Sequence, residues 1–466
     1  MKVTILLSVI MSSLSMLVPN AFAQRAGHQP DALTTFTNAL EHDGFYVNTG
    51  MAVPYNLPAL WCDNPLSEGS AMYANNEPYV VPLVPKSAQD QQLDVMFQLQ
   101  PDEAIVLIGL TPPPAKYFSY TAYLFIRAYP DGTTNQLFAS LGDAVNNATI
   151  KTTGPSPFNS PVVLIFTPDQ TTDARVRAAL RRAGYPEAII NTVVFPASLL
   201  NLGYGDTADQ VRIGCRTAIW QNQSDGDSYL ANPPLSVFRV TPRTPATANP
   251  FPTPPLRVRG TGHSEMDLMK KLDQLRQGII AAHPGLYATD ITPPNPLLDG
   301  YDYIQRHIDP LADTRDALYL SAGFMPEFDS TNKLTLATNE FLMVYGVNHV
   351  ATGKATYMNI NVYASETAKL TLGTCDDGDF PDTAKPFLPA GDPAAKLMYA
   401  YKISRSGVAE PNCLQLSAPQ GCTRLTLDSS TLLGVFTRIY LEPATKVGPA
   451  LSEILYDRVI KFSPRP

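Results

Sequence analysis

A histidine in a polar loop is the best candidate for acid–base chemistry in this chain. His349 lies in the segment 347–354, between two predicted strands, together with Asn348, Gly353 and Lys354. Because histidine titrates near neutral pH, His349 can take up or release a proton during hydrolysis or elimination. We predict His349 as a catalytic residue and Asn348 as a ligand-binding residue. The alternative is an ordinary loop histidine that faces solvent.

Two predicted strands each carry a row of polar side chains on one face, because successive side chains of a strand point to opposite faces. These rows are Tyr117, Ser119, Thr121, Tyr123 and Arg127, and Tyr357, Asn359, Asn361 and Tyr363. We predict catalytic roles, in proton transfer and anion stabilisation, for Tyr117, Arg127 and Tyr357. We predict ligand binding for Ser119, Tyr123, Asn359 and Asn361. Two structural alternatives stay open for these rows: a solvent-facing outer surface, or a polar seam between two copies of one domain.

The polar strands belong to a sequence pattern that occurs twice. Phe97–Gly109 and Leu334–Gly346 have a glutamate and a glycine at the same spacing. A polar strand follows each block, and the similar segments Val237–Arg243 and Val459–Arg465 close the two copies. Three blocks in the same order indicate a duplicated domain.

The copies differ in the loop that follows the first shared block. In the first copy this loop is the proline-rich turn Thr111–Pro114, whereas the second copy has the longer loop with His349. Residues that both copies keep are expected to be scaffold, so we expect function where the copies differ. Glu103 and Glu340 are kept, and they are either an acid–base pair or two residues that each organise a turn.

Sequence motifs of known catalytic or metal sites give little support for other chemistry. The sequence has no nucleophile elbow, zinc-protease motif or phosphate-binding loop, and its six histidines lack metal-ligand spacing. Gly260–Ser264 precedes a predicted helix and suggests an anion site, but no suitable strand–helix unit surrounds it. Asp376–Asp382 is as acidic as a calcium loop but lacks the closing glutamate. We predict neither a metal nor a cofactor.

The first residues are typical of an export signal. Lys2 precedes the apolar segment Val3–Val18, and Ala21–Ala23 predicts cleavage before Gln24. No later stretch approaches about 18 uncharged apolar residues, the length that spans a membrane. The net charge of -8 argues against a nucleic-acid partner. We predict a secreted or periplasmic protein with a small-molecule or saccharide-like ligand and without stable membrane insertion.

The cysteines fit an oxidising compartment, in which some of them should pair. The chain has five, namely Cys62, Cys215, Cys375, Cys413 and Cys422. The short Cys413–Cys422 loop can close easily, and Cys375 with either of these is equally allowed. An odd number leaves one free thiol or a bond to another molecule.

These observations predict an α+β fold built from two tandem duplicated α/β-sandwich-like units with mostly antiparallel sheets, plus an irregular N-terminal segment. The predicted boundaries are a signal peptide at 1–23, an irregular wrap at 24–91, a repeat unit at 92–243, a proline-rich linker with connecting helices at 244–329, and a second repeat unit at 330–466. We expect a hydrolase- or lyase-type enzyme that acts on a small polar or saccharide-like substrate in a groove between the repeats. The alternative is a non-catalytic ligand-binding or envelope protein.

Overall fold

Helices and strands are both abundant in the computed structural model of the protein. It describes residues 30–63, 78–129, 131–245, 247–291, 295–296, 299–324, 330–366, 369–406 and 410–465. The predicted signal peptide and its cleavage site therefore lie outside the described residues. No helix within these ranges is long and apolar enough to cross a membrane.

The first half of the chain, residues 30–245, contains helices and two sheets. The helices are α1 (Pro30–His42), α2 (Leu57–Asp63), α3 (Gln170–Arg182) and α4 (Gln223–Ala231). The strands are β1 (Phe45–Thr49), β2 (Met51–Tyr55), β3 (Tyr79–Pro85), β4 (Leu93–Asp94), β5 (Ala104–Leu110), β6 (Ala115–Ala128), β7 (Thr134–Ser140), β8 (Val145–Asn146), β9 (Pro161–Thr167), β10 (Ile190–Val194), β11 (Gln210–Trp220) and β12 (Leu235–Pro242). The outer sheet has the order β1-β12-β5-β9-β10, and the inner sheet has the order β2-β3-β11-β6-β7.

The second half, residues 247–465, is built in a similar way. Its helices are α5 (Met269–Ala281) and α6 (Gly300–Arg306). Its strands are β13 (Leu286–Asp290), β14 (Asn295–Pro296), β15 (Ala317–Gly323), β16 (Phe341–Val347), β17 (Tyr357–Ala364), β18 (Leu370–Asp376), β19 (Met398–Ser404), β20 (Cys413–Gln415), β21 (Leu433–Tyr440) and β22 (Arg458–Pro464). The outer sheet has the order β13-β22-β16-β19-β20, and the inner sheet has the order β14-β15-β21-β17-β18.

The two halves match in the directions of their strands as well as in their order. In each outer sheet the last pair is parallel, β9 with β10 and β19 with β20, and the other pairs on these paths are antiparallel. The pairs of both inner sheets are antiparallel. The predicted α+β class of mixed helices and sheets is confirmed.

The sheets are stacked as layers, because each has two apolar or half-apolar faces to bury. One core of each half fills the space between its outer and inner sheet, with Phe118 in the first half and Met358 in the second. Helices α1 and α3 cover the other face of the first outer sheet, and α5 covers that of the second. The two inner sheets face each other through an aromatic cluster that includes Tyr117, Tyr319 and Tyr440.

The segments expected to be irregular contain regular elements where the structure describes them. Residues 24–91 were expected to wrap around the first unit, but they supply α1, α2 and the strands β1–β3. Residues 244–329, expected as a linker with helices, supply α5, α6 and the strands β13–β15. β3 and β15 have seven residues and are largely apolar, whereas the other strands, β1, β2, β13 and β14, have five residues or fewer and a weak hydrophobic pattern. They become strands by pairing with sheets formed by distant residues.

The disulfide bond joins the two halves of the chain. The sulfur atoms of Cys62 and Cys422 are 2.07 Å apart, and the residues are 360 positions apart in the sequence. None of the three pairings considered among Cys375, Cys413 and Cys422 forms. Cys413 lies in β20, parallel to β19, with its thiol beside Ser404. Cys375 is a buried free thiol.

Candidate functional site

His349 is buried, in contrast to the solvent-facing loop histidine that was the alternative. Its Nδ1 lies 2.9 Å and 3.0 Å from the two carboxylate oxygens of Glu265. Thr352 Oγ1 donates a hydrogen bond of 2.5 Å to the same carboxylate. Burial acts to lower the pKa of His349, but the Glu265 carboxylate outweighs it and raises this pKa above its usual value. Nε2 of His349 makes no hydrogen bond within the described residues.

Asp457 is the second titratable group of this cluster, and it is only 2% exposed. Its Oδ1 accepts a hydrogen bond from the Tyr399 hydroxyl, and its Oδ2 accepts none from the described residues. Burial raises the pKa of Asp457, while His349 acts in the opposite direction. Gly346 leaves the room for this carboxylate, because a Cβ at position 346 would clash with Asp457 Oδ1. Because Gly346 of the repeated pattern has no side chain, the Asp457 carboxylate can lie against β16 in the second half.

A cavity of about 540 Å³ lies next to this cluster, in the second half and not between the halves. Its lining is mainly apolar and includes Met266, Met269, Leu272, Ile454, Leu455 and Val459. Asp457 is a lining residue, whereas His349 is not. Leu455 connects the cavity to the cluster, because its backbone N–H donates a hydrogen bond of 3.0 Å to Glu265.

The loop that contains His349 is anchored by a buried lysine. Lys354 Nζ lies 2.8 Å from Glu442 Oε1 and 2.5 Å from Glu453 Oε2. Glu453 also accepts hydrogen bonds from the backbone of Thr261, at 2.9 Å, and Gly262, at 2.6 Å. Burial acts against it, but Lys354 and these N–H groups lower the pKa of Glu453 to about 2. The glycine segment that suggested an anion site thus binds a carboxylate of the same chain.

The polar rows of β6 and β17 lie between the two inner sheets. The Tyr117 hydroxyl donates a hydrogen bond of 2.8 Å to Asp316, and the Tyr117 ring lies 4.7 Å from that of Tyr440. Tyr357 stacks on the same Tyr440 at 5.4 Å between ring centroids. Burial raises the pKa of Tyr117 and of Tyr357 well above the usual value, so both hydroxyls stay protonated.

The amides of β17 continue this buried row. Asn359 Nδ2 donates a hydrogen bond of 2.6 Å to the Tyr357 hydroxyl, and Asn361 Nδ2 donates one of 2.6 Å to Asn359 Oδ1. Thr374 Oγ1 donates a hydrogen bond of 2.7 Å to Asn361 Oδ1. Asn348, by contrast, lies at the start of the His349 loop, where its side chain accepts from the backbone of residues 350 and 351. Asn359 and Asn361 therefore lie in a chain of hydrogen bonds inside the protein.

Arg127 has a partner of its own. It forms a two-point ion pair with Asp209, with Nε–Oδ1 and Nη2–Oδ2 distances of 3.2 Å and 2.8 Å. Its Nη2 also donates 2.5 Å to the Leu199 carbonyl. The structure thus gathers Tyr117 and Tyr357 around Tyr440, but it gives Arg127 and His349 separate carboxylate partners. The four predicted catalytic residues therefore do not form a single site.

Several important residues were missed by the sequence reasoning. Asp457 could have been found by comparing the copies. When Val459 is aligned with Val237, Asp457 of the second copy is aligned with Leu235 of the first, so the copies differ at this position. Glu265 gave no signal, since it is 84 positions from His349 and meets it only in the fold. Arg216 was missed although it lies opposite Ser119 in the inner sheet.

Comparisons with known proteins give little more. No protein-family model matches the chain, and no curated protein matches its sequence. A protein from Vibrio parahaemolyticus of known crystal structure is 12% identical, with a TM-score of 0.34, over 80% of this chain and 88% of that one. An uncharacterized protein from Burkholderia cenocepacia is 11% identical, with a TM-score of 0.36, over 94% and 91% of the chains. Neither similarity indicates a function.

Proposed function

We propose that this protein is an exported small-molecule-binding protein whose ligand occupies the cavity of the second half. The observation that carries the proposal is the cavity itself, about 540 Å³ in volume and lined mainly by apolar side chains. Cavities of this size are typical of small-molecule sites. Met266 and Met269 are 43% and 37% exposed at its edge, and methionine side chains adapt to the shape of a ligand.

The ligand class follows from the lining and the edge. The walls supply apolar contacts, which favours a ligand with an apolar body over a saccharide. Two basic residues lie at the edge of the cavity. Arg458 Nη1 is 2.7 Å from Asp273 Oδ1, and Arg276 Nε is 3.0 Å from Asp290 Oδ1. Such part-exposed ion pairs contribute little free energy, so either arginine can exchange its partner for an anionic group. We therefore propose a ligand with an apolar body and one anionic end.

Export and duplication are part of the same proposal. The predicted signal peptide and the Cys62–Cys422 pair both fit a secreted or periplasmic location. The matching strand orders of the two halves support descent from one duplicated unit. In this interpretation each unit also includes the short strands that precede its first repeated block, so the repeats are longer than 92–243 and 330–466.

The ligand site is tested by Met269→Glu, which places a negative charge on an edge side chain of the cavity. We expect decanoate, a probe with an apolar body and a carboxylate, to bind the wild type. Its affinity for the variant should fall by about tenfold or more, because the added carboxylate repels that of decanoate and is costly to desolvate in an apolar site. Isothermal titration calorimetry measures both dissociation constants.

The matched control is Met51→Glu in β2, since Met51 is also exposed, at 41%, and does not line the cavity. This variant should bind decanoate as the wild type does. Equal losses in both variants, or no binding by the wild type, would remove the cavity as the ligand site.

A second candidate function, hydrolase- or lyase-type catalysis, is favoured by Asp457. This carboxyl group borders the cavity with a raised pKa, which suits a general base. In ester hydrolysis it would accept a proton from water, whose oxygen attacks the carbonyl carbon, and return that proton to the leaving alkoxide. His349 and Glu265 would be positioning residues. Because Asp457 is covered, a substrate must displace lining side chains such as Leu455.

The catalytic alternative is tested by Asp457→Asn, assayed with p-nitrophenyl esters and glycosides. If Asp457 is the base, turnover should fall by about 100-fold or more while decanoate affinity stays the same. His349→Ala should shift the pH profile of turnover, since His349 affects the pKa of Asp457. Turnover that is absent from the wild type, or unchanged in Asp457→Asn, leaves the binding function alone.

A further inference from the structure

Two buried arginines lie at equivalent positions in the facing inner sheets. Arg216 of β11 is opposite Ser119 of β6, and Arg438 of β21 is opposite Asn359 of β17. We call the layer between these sheets the seam. The side chains that define it are Ser119, Thr121, Tyr123, Arg216, Tyr319, Tyr363, Arg438 and Tyr440.

Among the described residues no carboxylate contacts the guanidinium group of Arg216. Asp313 interacts with it only at longer range, where the arginine opposes the rise in the pKa of Asp313 that burial causes. The residue is 6% exposed, and its Nε and Nη2 donate hydrogen bonds of 3.1 Å and 2.9 Å to the Tyr123 hydroxyl. Nη2 also donates to the Ala312 carbonyl. Among the residues that the structure describes, Arg216 forms no ion pair. Tyr123 is neutral, because burial raises its pKa, so a full positive charge remains buried.

The acids nearest to the seam are held by other groups. Asp313 accepts hydrogen bonds from the backbone and the hydroxyl of Ser140, both at 2.7 Å, and from Gly300 N at 2.9 Å. Asp316 accepts from Tyr117 and from Asn146, both at 2.8 Å. Burial raises the pKa of each of these aspartates to about 6. Neither forms an ion pair that neutralises Arg216.

Two hydroxyl groups beside Arg216 are left without partners. Ser119 and Thr121 are 0% and 1% exposed, and within the described part of the chain their oxygens meet no partner at the distance and angle of a hydrogen bond. Each lies near one tyrosine hydroxyl of β6, Ser119 near Tyr117 and Thr121 near Tyr123, and acts to lower the pKa of that tyrosine. Buried hydroxyls almost always have a partner, so this pair calls for one. Both lie on the face of β6 that carries Tyr123, the residue to which Arg216 donates.

The second arginine adds a further positive charge to the seam. Arg438 lies 5.7 Å from the Tyr319 ring and 5.6 Å from the Tyr363 ring. Both arginines lower the pKa of Tyr319 and of Tyr440, although burial of these tyrosines raises it overall. Both guanidinium groups therefore act on the same two tyrosines of the seam, and an anion placed there is attracted by both.

We propose that the seam binds a small oxyanion, whose oxygen atoms accept hydrogen bonds from Arg216, Ser119 and Thr121, with Arg438 adding attraction. Carboxylate, sulfate and phosphate groups share this chemistry, and guanidinium groups suit all three. The site is separate from the cavity of the second half. Its occupation would hold the two halves together, because β6 and β11 belong to the first half and β21 to the second.

The test measures the thermal midpoint of the purified protein against increasing succinate, sulfate or phosphate, with chloride at equal ionic strength as reference. The wild type should gain about 2 °C or more in a saturating manner with at least one oxyanion. Sulfate also stabilises proteins in general, but that effect does not saturate. The three anions distinguish a carboxylate ligand from an inorganic one.

Arg216→Met should abolish the saturating gain and should be at least as stable as the wild type in chloride alone, because it removes an unpaired charge. Ser119→Ala keeps the arginine and should lower the affinity for the anion by about tenfold. This variant tests the site even if Arg216→Met does not fold. Arg181→Met, in α3 on the opposite face of the first outer sheet, should keep the full response. The proposal is overturned if the wild type shows no saturating gain, or if Arg216→Met and Ser119→Ala keep it unchanged.

Discussion

Replacing Glu103 by glutamine is expected to lower the free energy of unfolding by about 3–5 kcal/mol, the usual loss when one partner of a buried ion pair is removed. Glu103 and Arg239 are both fully buried, with Oε2 and Nη2 2.6 Å apart. Arg239 also donates to the carbonyls of Pro85, Lys86 and Gln98, so it cannot move into solvent. Glutamine leaves its charge uncompensated. Urea unfolding followed by circular dichroism measures the loss.

The second half contains its own control at the equivalent glutamate. Glu340 Oε2 lies 2.8 Å from Lys461 Nζ, and Glu340 Oε1 accepts a hydrogen bond of 2.7 Å from the Ser463 hydroxyl. This ion pair is partly exposed. Glu340→Gln should therefore cost about 1 kcal/mol or less. Both glutamates also accept from a backbone N–H three residues earlier, Gln100 at 2.9 Å and Ala337 at 2.8 Å, so this shared turn contact is matched in the comparison. Equal losses would contradict the role of burial.

The loss should depend on pH in a defined direction. Burial acts to raise the pKa of Glu103, but Arg239 outweighs it and holds this pKa below the ordinary value of 4.5. A lowered pKa in the folded state contributes stability above the pKa of the unfolded state and loses it as pH falls through the folded value. The difference between wild type and Glu103→Gln should thus be constant near neutral pH and shrink well below pH 4.5.

The repeated blocks explain how much of the fold can be predicted from the sequence. The apolar runs of β5 and β16 form the central strands of the outer sheets, and the glutamate before each run organises a turn, one of the two roles expected for it. A Cβ at Gly109 would clash with the Pro234 carbonyl, as one at Gly346 would with Asp457. The turn can be predicted from local spacing because its hydrogen bond joins residues three positions apart, whereas the groups that each glycine approaches lie far away in the sequence.

The edge strands could not be predicted in the same way. β1 is a strand because Phe45 pairs with Pro242, and β13 is a strand because Leu286 pairs with Pro464. Such pairings join residues that are far apart in the sequence. The short segments carry too few alternating apolar residues to indicate a strand alone.

The candidate site shows the same division between local and distant information. Alternation along β6 is enough to place Tyr117 and Ser119 on one face. It cannot tell whether that face meets solvent or the other half, because this depends on how two sheets pack. Likewise, the sequence shows that His349 has a useful side chain, but only the fold shows that Glu265 covers it.

Replacing Cys62 by serine is expected to lower the free energy of unfolding by about 2–5 kcal/mol, because the bond to Cys422 limits the conformations of the unfolded chain. The two residues are 360 positions apart, and Trp61 packs with Leu370 beside the bond. The bond therefore ties α2 of the first half to the second half. Thermal and urea unfolding under non-reducing conditions measure the loss.

A free thiol provides the control for this change. Cys413→Ser should alter stability by no more than about 0.5 kcal/mol, because Cys413 is partly exposed and makes no disulfide bond in the described structure. Dithiothreitol should destabilise the wild type and Cys413→Ser but leave Cys62→Ser unchanged. If the reductant affects all three alike, the Cys62–Cys422 bond is not the stabilising link. A stabilising bond of this kind also means that full stability requires an oxidising compartment, such as the one that the proposed export provides.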